Sequence, residues 1–523
     1  MKKYFSIYWL ATGMLLIGLM NACEKKPVNQ FYPSRIFTPT SISIIAYDTL
    51  VNISWPASLY TSTMHVTYTV QIGRDSTFQS GADFTLVADT NYLVVSDDTL
   101  ADRVKYFVRV RANATGGADS SNWVYSTSSF TLTGVQIFGT LLNSDILDNA
   151  VRLNWKPTPG VNLIVLTAAN GDTMHVQVSS TDNANGMIIV SGLQPGTTYT
   201  AQIFAGTKSK GQITFTTKPA LTGNIIDLRG ITGRPTVLFD TLPQIPSGSI
   251  VLLARGQTYT IPSTYIFDRT VTIMSGMGFS TPAVLLLSSN FDATGKIDSI
   301  RFSDLVIATN GAQYLMNVGN TATIGTVSLV NCTTQGVFTN SLIRLKTAND
   351  TIRKLYVNNC IFDSIGIQNK YAVFYASASS SAMIDNIEIH NSTFYNIYYF
   401  IREDNVHPTS CVVDHCTFNA FINQGGYFIN YTYFPANFVL SNNIFGSTLD
   451  PTNANWIKST PNLTVTNCFY TTDCVFSANS IYGATAYSGS STALFRSPST
   501  GDFTLMDANF AASYKAGDPR WLP

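Results

Sequence analysis

The sequence predicts an all-β protein, two antiparallel sandwiches followed by a long parallel β-solenoid, and three observations carry that expectation. Of 523 residues, 45% are hydrophobic and only 12% charged, with 26 Tyr, 31 Phe and 6 Trp. That balance supplies a large core and argues against disorder and coiled coil. Between about residues 36 and 218, apolar residues alternate with period two in short segments separated by turn-rich breaks, the mark of half-buried strands. Beyond residue 219 the pattern apolar-x-apolar-x-polar recurs eight times, 24 to 32 residues apart, with no helical period. Lys+Arg and Asp+Glu both number 31, so the concentrated positive charge that nucleic-acid binding requires is missing.

Residues 1–22 read as an export signal: Lys2 and Lys3 open it, Ile7 to Met20 is apolar, and Asn21-Ala22 precede Cys23. The apolar run is short for a bilayer-crossing helix of about 20 apolar residues. Cys23 directly after Ala22 resembles a bacterial lipoprotein box. That resemblance implies a lipidated Cys23 as the mature N-terminus, and an exported protein anchored to the outer membrane at the cell surface or its periplasmic side. Residues 23–35, polar and Pro-bearing, form the tether.

The first sandwich spans 36–131. Strands are expected at 51–55, ending in Trp55-Pro56, at 68–72 and at 106–112. The second spans 135–218, with 151–155 ending in Trp155 and the run Leu193-Gln194-Pro195-Gly196-Thr197-Thr198-Tyr199. Both resemble fibronectin type III modules through the early-strand Trp (Trp55, Trp155) and a Leu six residues before a Tyr (Leu100 to Tyr106, Leu193 to Tyr199). The resemblance implies that each Trp fills a core and each Tyr hydroxyl pins a corner.

The solenoid, 220–523, has repeat anchors at Ser275, Asp304, Asn331, Asn359, Asn391, His415, Asn442 and Asn467. Stacking coils about 4.8 Å apart pairs each strand with the coils above and below and buries a face that one coil cannot bury alone. The recurrent Asn is expected to turn inward at a corner and bond the amide one coil away. Phe362, Phe394, Phe418 and Phe445, three residues past their anchors, are expected to stack in the core. The stretch from Gly248 to Tyr259 resembles the opening coil of pectin-lyase-like right-handed β-helices. The whole arrangement resembles exported lipoproteins of Bacteroidetes glycan-utilisation systems, and Gly501 to Leu505 with Ala516 to Trp521 resembles their terminal cap.

Cys332, Cys360, Cys416 and Cys468 each follow an anchor directly. Buried free thiols in a column are the leading expectation. Among these four only Cys332 and Cys360 lie in adjacent coils, near enough to bridge. No Cys/His spacing suits zinc, so no metal is expected.

Two candidate sites follow. Arg402-Glu403-Asp404, with His407 and then Asp414 and His415, is the densest charged cluster. It reads first as a solvated loop, and second as the cation and acids of a polysaccharide lyase or hydrolase, with calcium possible in a lyase. Aromatic residues at 371–375, 398–400, 427–428 and 456 fall at similar phases of successive coils, with Tyr431, Tyr433 and Phe434 nearby, and sugar rings stack on such faces. Alternation turns some of these rings inward. The expected ligand-binding residues are Tyr399, Arg402, Tyr427, Tyr431, Tyr433 and Trp456. The leading expectation is a non-catalytic lipoprotein that binds a polysaccharide, a plant-type acidic glycan such as pectin, needs no cofactor and has no nucleic-acid partner. An enzyme of the pectin-lyase-like fold and an adhesin or scaffold protein are the alternatives.

Overall fold

Alternation decides the first 219 residues. In a computed structural model of the chain, described for residues 34–367, 371–404, 406–423, 425–457, 462–478 and 481–523, two compact units divide between Pro219 and Ala220. The export signal, Cys23 and most of the tether lie outside the described residues.

In the first sandwich, Ser43–Ala46, Leu50–Ser54 and Tyr92–Ser96 form one sheet, and Phe84–Ala88, Tyr68–Gly73, Phe107–Ala112 and Val124–Tyr125 the other. The inward residues Val51, Ile53, Val70, Ile72, Val108 and Val110 are fully buried around Trp55. The Tyr106 hydroxyl accepts from the Ala101 amide at 3.2 Å. The second sandwich sets Ala150–Asn154 and Met187–Ser191 against Thr173–Gln177, Val161–Ala168, Thr198–Ala205 and Lys208–Thr216. Trp155 is in its core, and the Tyr199 hydroxyl accepts from the Gln194 amide at 2.8 Å. Both modules therefore carry the tyrosine corner of the fibronectin type III and immunoglobulin sandwiches.

The second unit is a β-solenoid of about nine turns with all-parallel sheets, followed by one antiparallel pair, Phe495–Ser497 with Asp502–Leu505. Three sheets run its length, and each strand pairs with the equivalent strand one coil on. The first sheet holds Val271–Ser275, Gly295–Ser303, Ala322–Val330, Thr351–Asn358, Asn386–His390, Ser410–Asp414, Asn437–Ser441 and Leu463–Thr466 among others. The second includes Ile361–Ile365, Thr393–Ile397, Thr417–Phe421, Ile444–Phe445 and Phe469–Tyr470. The third contains Met316–Val318, Ile343–Leu345, Phe374–Tyr375, Ile401–Glu403, Tyr427–Tyr431 and Asn455–Ile457. One end is covered by a short helix, Val237–Thr241, whose Val237 and Leu238 are buried. At the other, Cys474, Phe476, Ile481 and Ala484 pack on the last coil.

The interior matches the repeat. Phe362, Phe394, Phe418 and Phe445 are fully buried with successive ring centroids 5.4, 5.3 and 5.4 Å apart. All six described cysteines are free and buried. Cys332 and Cys360 are unbridged, the Cys332 amide donating to Cys360 Sγ at 3.4 Å. Burial pushes the Cys332 thiol well above its usual range.

Two expectations are corrected. The corner asparagines do not turn inward. Asp304, Asn331, Asn359, Asn391, His415, Asn442 and Asn467 all have φ between 49° and 57°, the left-handed region that Asn tolerates best after Gly. In that turn their side chains lie toward the surface, and the residue after each, Cys332, Cys360, Cys416 and Cys468 among them, is buried. The ladder still forms there: Asn359 donates to Asn331 at 2.8 Å and Asn467 to Asn442 at 2.7 Å. Where His415 interrupts the asparagines, Asn442 donates instead to Asp414 at 2.9 Å.

The C-terminal segment is a clasp along the side of the solenoid. Leu494, Phe495, Phe503, Leu505, Phe510 and Ala511 form a small core of their own against Ile444 and Phe469 of the second sheet. Asp518 holds its tip, accepting from Thr393 Oγ1 at 2.8 Å while its amide donates to Thr417 Oγ1 at 3.0 Å. Gly517 has a φ of 83°, and a Cβ there would come within 2.8 Å of Ile444 Cδ1.

Candidate functional site: the outer face of the third sheet

Strand alternation divides the charged cluster. Within Ile401–Glu403, successive side chains point to opposite faces, so Arg402 is half exposed while Glu403 is 1% exposed and lies inside the solenoid. Glu403 Oε1 accepts from the Ile384 amide at 2.6 Å, and its Oε2 has no partner. Burial first, then Asp385 and Asp404, push this carboxyl well above its usual range. A carboxyl sealed inside the solenoid cannot reach a substrate on the outer face, so Glu403 is removed as a site residue. Asp404 is tied to Arg402 Nε at 3.3 Å and to Thr432 Oγ1 at 3.3 Å. Asp414 and His415 sit at the corner between the first and second sheets, away from this face. Burial acts to raise the Asp414 carboxyl, but hydrogen bonds from Ser441, His415 and Asn442 outweigh it and hold the group low.

The aromatic stripe divides by the same rule. Phe374, Phe400, Phe428 and Trp456 turn inward; Phe400 stacks on Phe428 with centroids 5.0 Å apart, and Phe428 on Trp456 at 4.7 Å. Tyr431, paired in register with Glu403, is 1% exposed beside Cys411. Trp456 and Tyr431 are therefore core residues and offer no ring to a ligand. The alternate residues Tyr371, Tyr375, Tyr398, Tyr399 and Tyr427 take the outer side. Tyr375 and Tyr399 form a small outer cluster with Ala372. Tyr399 is only 5% exposed because Gly426 lies flat on it; a Cβ at Gly426 would meet the ring at 2.8 Å. Tyr399 thus supports the face from beneath. Tyr427 is half-buried. Tyr433, 45% exposed, stacks on the exposed ring of His407 with centroids 4.0 Å apart.

Register brings to this face a residue that local patterning had not singled out. The outward positions of five successive coils align as Asn317, Arg344, Tyr375, Arg402 and Asn430. Arg344 Nη1 donates to the Tyr314 hydroxyl at 3.1 Å, and Asn340 Nδ2 donates to the same oxygen at 2.7 Å. Its guanidinium carbon lies 5.7, 5.2 and 6.0 Å from the ring centres of Tyr314, Tyr371 and Tyr375. Among the described residues no carboxylate pairs with it. Asn317 Oδ1, Asn430 Oδ1 and Arg344 Nε are buried without a protein partner. Burial raises the Tyr314 and Tyr375 phenols although Arg344 and, for Tyr375, Arg402 oppose the shift. Their hydroxyls therefore remain neutral at physiological pH. The face thus carries Arg344 with no described carboxylate partner and Arg402 paired with Asp404, while the unpartnered oxygens of Asn317 and Asn430 are sealed beneath it. Among the described residues, no group of three His, Cys, Asp or Glu side chains is placed to hold a metal ion, and no helix is long and apolar enough to cross a membrane.

Comparison with known proteins bears on fold alone. A family described as "Domain of unknown function (DUF5123)" matches residues 411–521, the last coils and the clasp. No curated protein matches the chain. Among solved structures, the chain is similar to the FN1–FN3 domains of chicken CNTN1, at 16% identity over 36% of this chain and 68% of that one, with a TM-score of 0.16. It is also similar to the two-domain fibronectin type III segment of chicken tenascin, at 16% identity over 35% and 99%, with a TM-score of 0.18. Superpositions this loose carry no weight by themselves. The fibronectin-like character of the first unit rests on its paired sheets, its core tryptophans and its two tyrosine corners.

Proposed function

We propose that this protein is an exported lipoprotein, anchored through Cys23, that binds an acidic polysaccharide of the plant type on the outer face of the third solenoid sheet without cleaving it. The fibronectin-like modules then serve as spacers between anchor and solenoid. Within this reading the chain is one of the Bacteroidetes glycan-utilisation lipoproteins whose solenoid is of the pectin-lyase-like kind. The observation that carries the reading is Arg344, a guanidinium held by Tyr314 and faced by three tyrosine rings with no described carboxylate to neutralise it. Such a group favours a ligand carboxylate, which it can meet with two parallel hydrogen bonds. Burial of Glu403 and the engagement of Asp404 by Arg402 and Thr432 favour binding over lysis.

The test is migration of the mature chain, residues 24–523, through native gels loaded with pectic or neutral polysaccharides. Ultraviolet absorbance for unsaturated products and a reducing-end assay run alongside. Retardation by pectic glycan without product, weakened in Arg344→Gln, is the expected result. Product release abolished by Arg402→Ala overturns the non-catalytic reading, and retardation by no glycan moves the weight to an adhesin or scaffold.

A further inference from the structure

Alternation also sorts the charges of the first sandwich. Within Phe107–Ala112, Val108 and Val110 are fully buried, so Arg109 and Arg111 stand on the outer face of their sheet, about 7 Å apart along the strand. Rings and guanidinium groups interleave there. The Arg109 guanidinium carbon lies 4.6 Å from the centre of the Phe78 ring and 4.5 Å from that of Trp123, and the Arg111 guanidinium carbon lies 4.6 Å from Trp123. Arg109 Nε donates to Gln71 Oε1 at 2.7 Å and its Nη1 to the Tyr125 hydroxyl at 3.3 Å. Both acceptors are neutral, so they orient the group without cancelling its charge. Elsewhere in the module Arg74 and Arg103 are ion-paired, with Asp83 and Asp102. Among the described residues, neither Arg109 nor Arg111 meets a carboxylate. Arg111 Nε is buried without a partner, while its Nη1 and Nη2, also unpartnered, are open to solvent.

We propose that this outer face of the first sandwich is a second site for the acidic polysaccharide, taking carboxylates on the edges of Arg109 and Arg111. The proposal rests on the polysaccharide-binding reading above and gives the first module a role beyond that of a spacer. A guanidinium packed against rings leaves a ligand its N–H edge, where a carboxylate can accept two parallel hydrogen bonds. Stacking also fixes both side chains in advance, which lowers the entropy lost on binding. Two such edges on one strand suit a ligand with several carboxylates, as a polymer has. A broad anionic surface such as a membrane fits less well. Residues 34–131 hold six Lys and Arg against eight Asp and no Glu, so the module has no long-range attraction for a negative surface. Only short-range contact at the two edges favours an anion.

The test is affinity electrophoresis of residues 24–523 in gels with and without polygalacturonate, with Arg344→Gln as the background in which the solenoid face is silenced. That background is expected to keep measurable retardation. Adding Arg109→Gln and Arg111→Gln is expected to weaken it at least about tenfold, the loss of one or more charged hydrogen-bonded contacts. Arg111→Lys, which keeps the charge and stem but not the planar edge, should lie between. Calorimetric melts report whether the first unit is intact. A readout on the wild-type chain needs no variant: galacturonate oligomer should slow the modification of Arg111 by phenylglyoxal, mapped by mass spectrometry. Retardation unchanged by the two added substitutions, or Arg111 modified equally fast with and without oligomer, overturns this site while leaving the solenoid reading standing. Binding lost on Arg109→Gln with Arg111→Gln but untouched by Arg344→Gln supports this site and overturns the one on the third sheet. Binding of phosphatidylglycerol vesicles, lost in the same two substitutions and without retardation by glycan, overturns the polysaccharide as its ligand, and binding of neither overturns both readings.

Discussion

Replacing Asp518 by Asn should remove a pH-dependent loss of stability from the C-terminal clasp. Asp518 is 1% exposed, accepts from Thr393 Oγ1 at 2.8 Å and from the Arg520 amide at 3.1 Å, and pairs with Arg520 Nε at 3.0 Å. Burial outweighs Arg520 and the hydrogen bonds, and the carboxyl is pushed from 3.8 up to about 6. An acid with a raised folded pKa binds more protons in the folded state, so its contribution is fully present below about pH 4. It is lost as pH rises to about 6 and is constant above. Two pH units correspond to about 3 kcal/mol, or roughly hundredfold in an opening equilibrium. Asn keeps an acceptor for Thr393 and does not titrate. Asp350, also raised to about 6, and Glu403 titrate in both proteins and cancel in the comparison. The assay is hydrogen exchange of peptides covering 491–523, because a solenoid need not open as one unit. The ratio of protection in the wild type to that in Asp518→Asn, taken at equal pH, should fall by about hundredfold between pH 4 and pH 7. A ratio constant within about threefold across that range, less than one pKa unit's worth, would refute the assignment of a proton to the folded clasp.

Two further outcomes follow from buried polar groups. Glu403→Gln keeps the shape of the neutral acid and adds a donor where Oε2 has no partner. The wild-type group, raised in the folded state, loses stability as pH climbs above its unfolded value. The variant should therefore hold the solenoid more firmly at pH 8 than the wild type, with glycan binding unchanged, as read from urea unfolding and the gel assay. Tyr199→Phe removes the acceptor of the Gln194 amide and should cost the second sandwich about 1 to 2 kcal/mol, seen as a lowered calorimetric midpoint of the first unit.

Sequence and structure agree most closely where one physical requirement repeats. A strand buried on one side must alternate, and a coil that cannot bury itself must repeat. Hence the two sandwiches, the stacked parallel sheets and the phenylalanine column were all legible from spacing. The corner asparagines were legible in position but not in direction. Their spacing is equally compatible with an inward amide ladder and with an outward one built on left-handed backbone, and only φ separates the two. The clasp was misplaced for a related reason. Gly517 and Asp518 carry no pattern that says whether they meet the end of the last coil or the flank of earlier ones. The contacts with Thr393 and Thr417 span more than 100 residues.

The candidate face was half legible, and the missing half is a matter of register. Arg402 drew attention because Glu403 and Asp404 adjoin it, yet that adjacency is what alternation undoes, since Glu403 faces the core. Arg344 drew none because it stands alone between Ile343 and Leu345. Its meaning appears only when the short strands of the third sheet are aligned. Then Asn317, Arg344, Tyr375, Arg402 and Asn430 fall 27, 31, 27 and 28 residues apart, within the period already found at the corners. The signal was present at a second phase of the same repeat. In a solenoid, charge density along the chain mostly measures loops, whereas charge density along the axis measures a surface that a polymer can follow. Arg344, with no described carboxylate beside it, is therefore better evidence of a binding face than three charged residues in a row, of which Glu403 is buried and Asp404 pairs with Arg402.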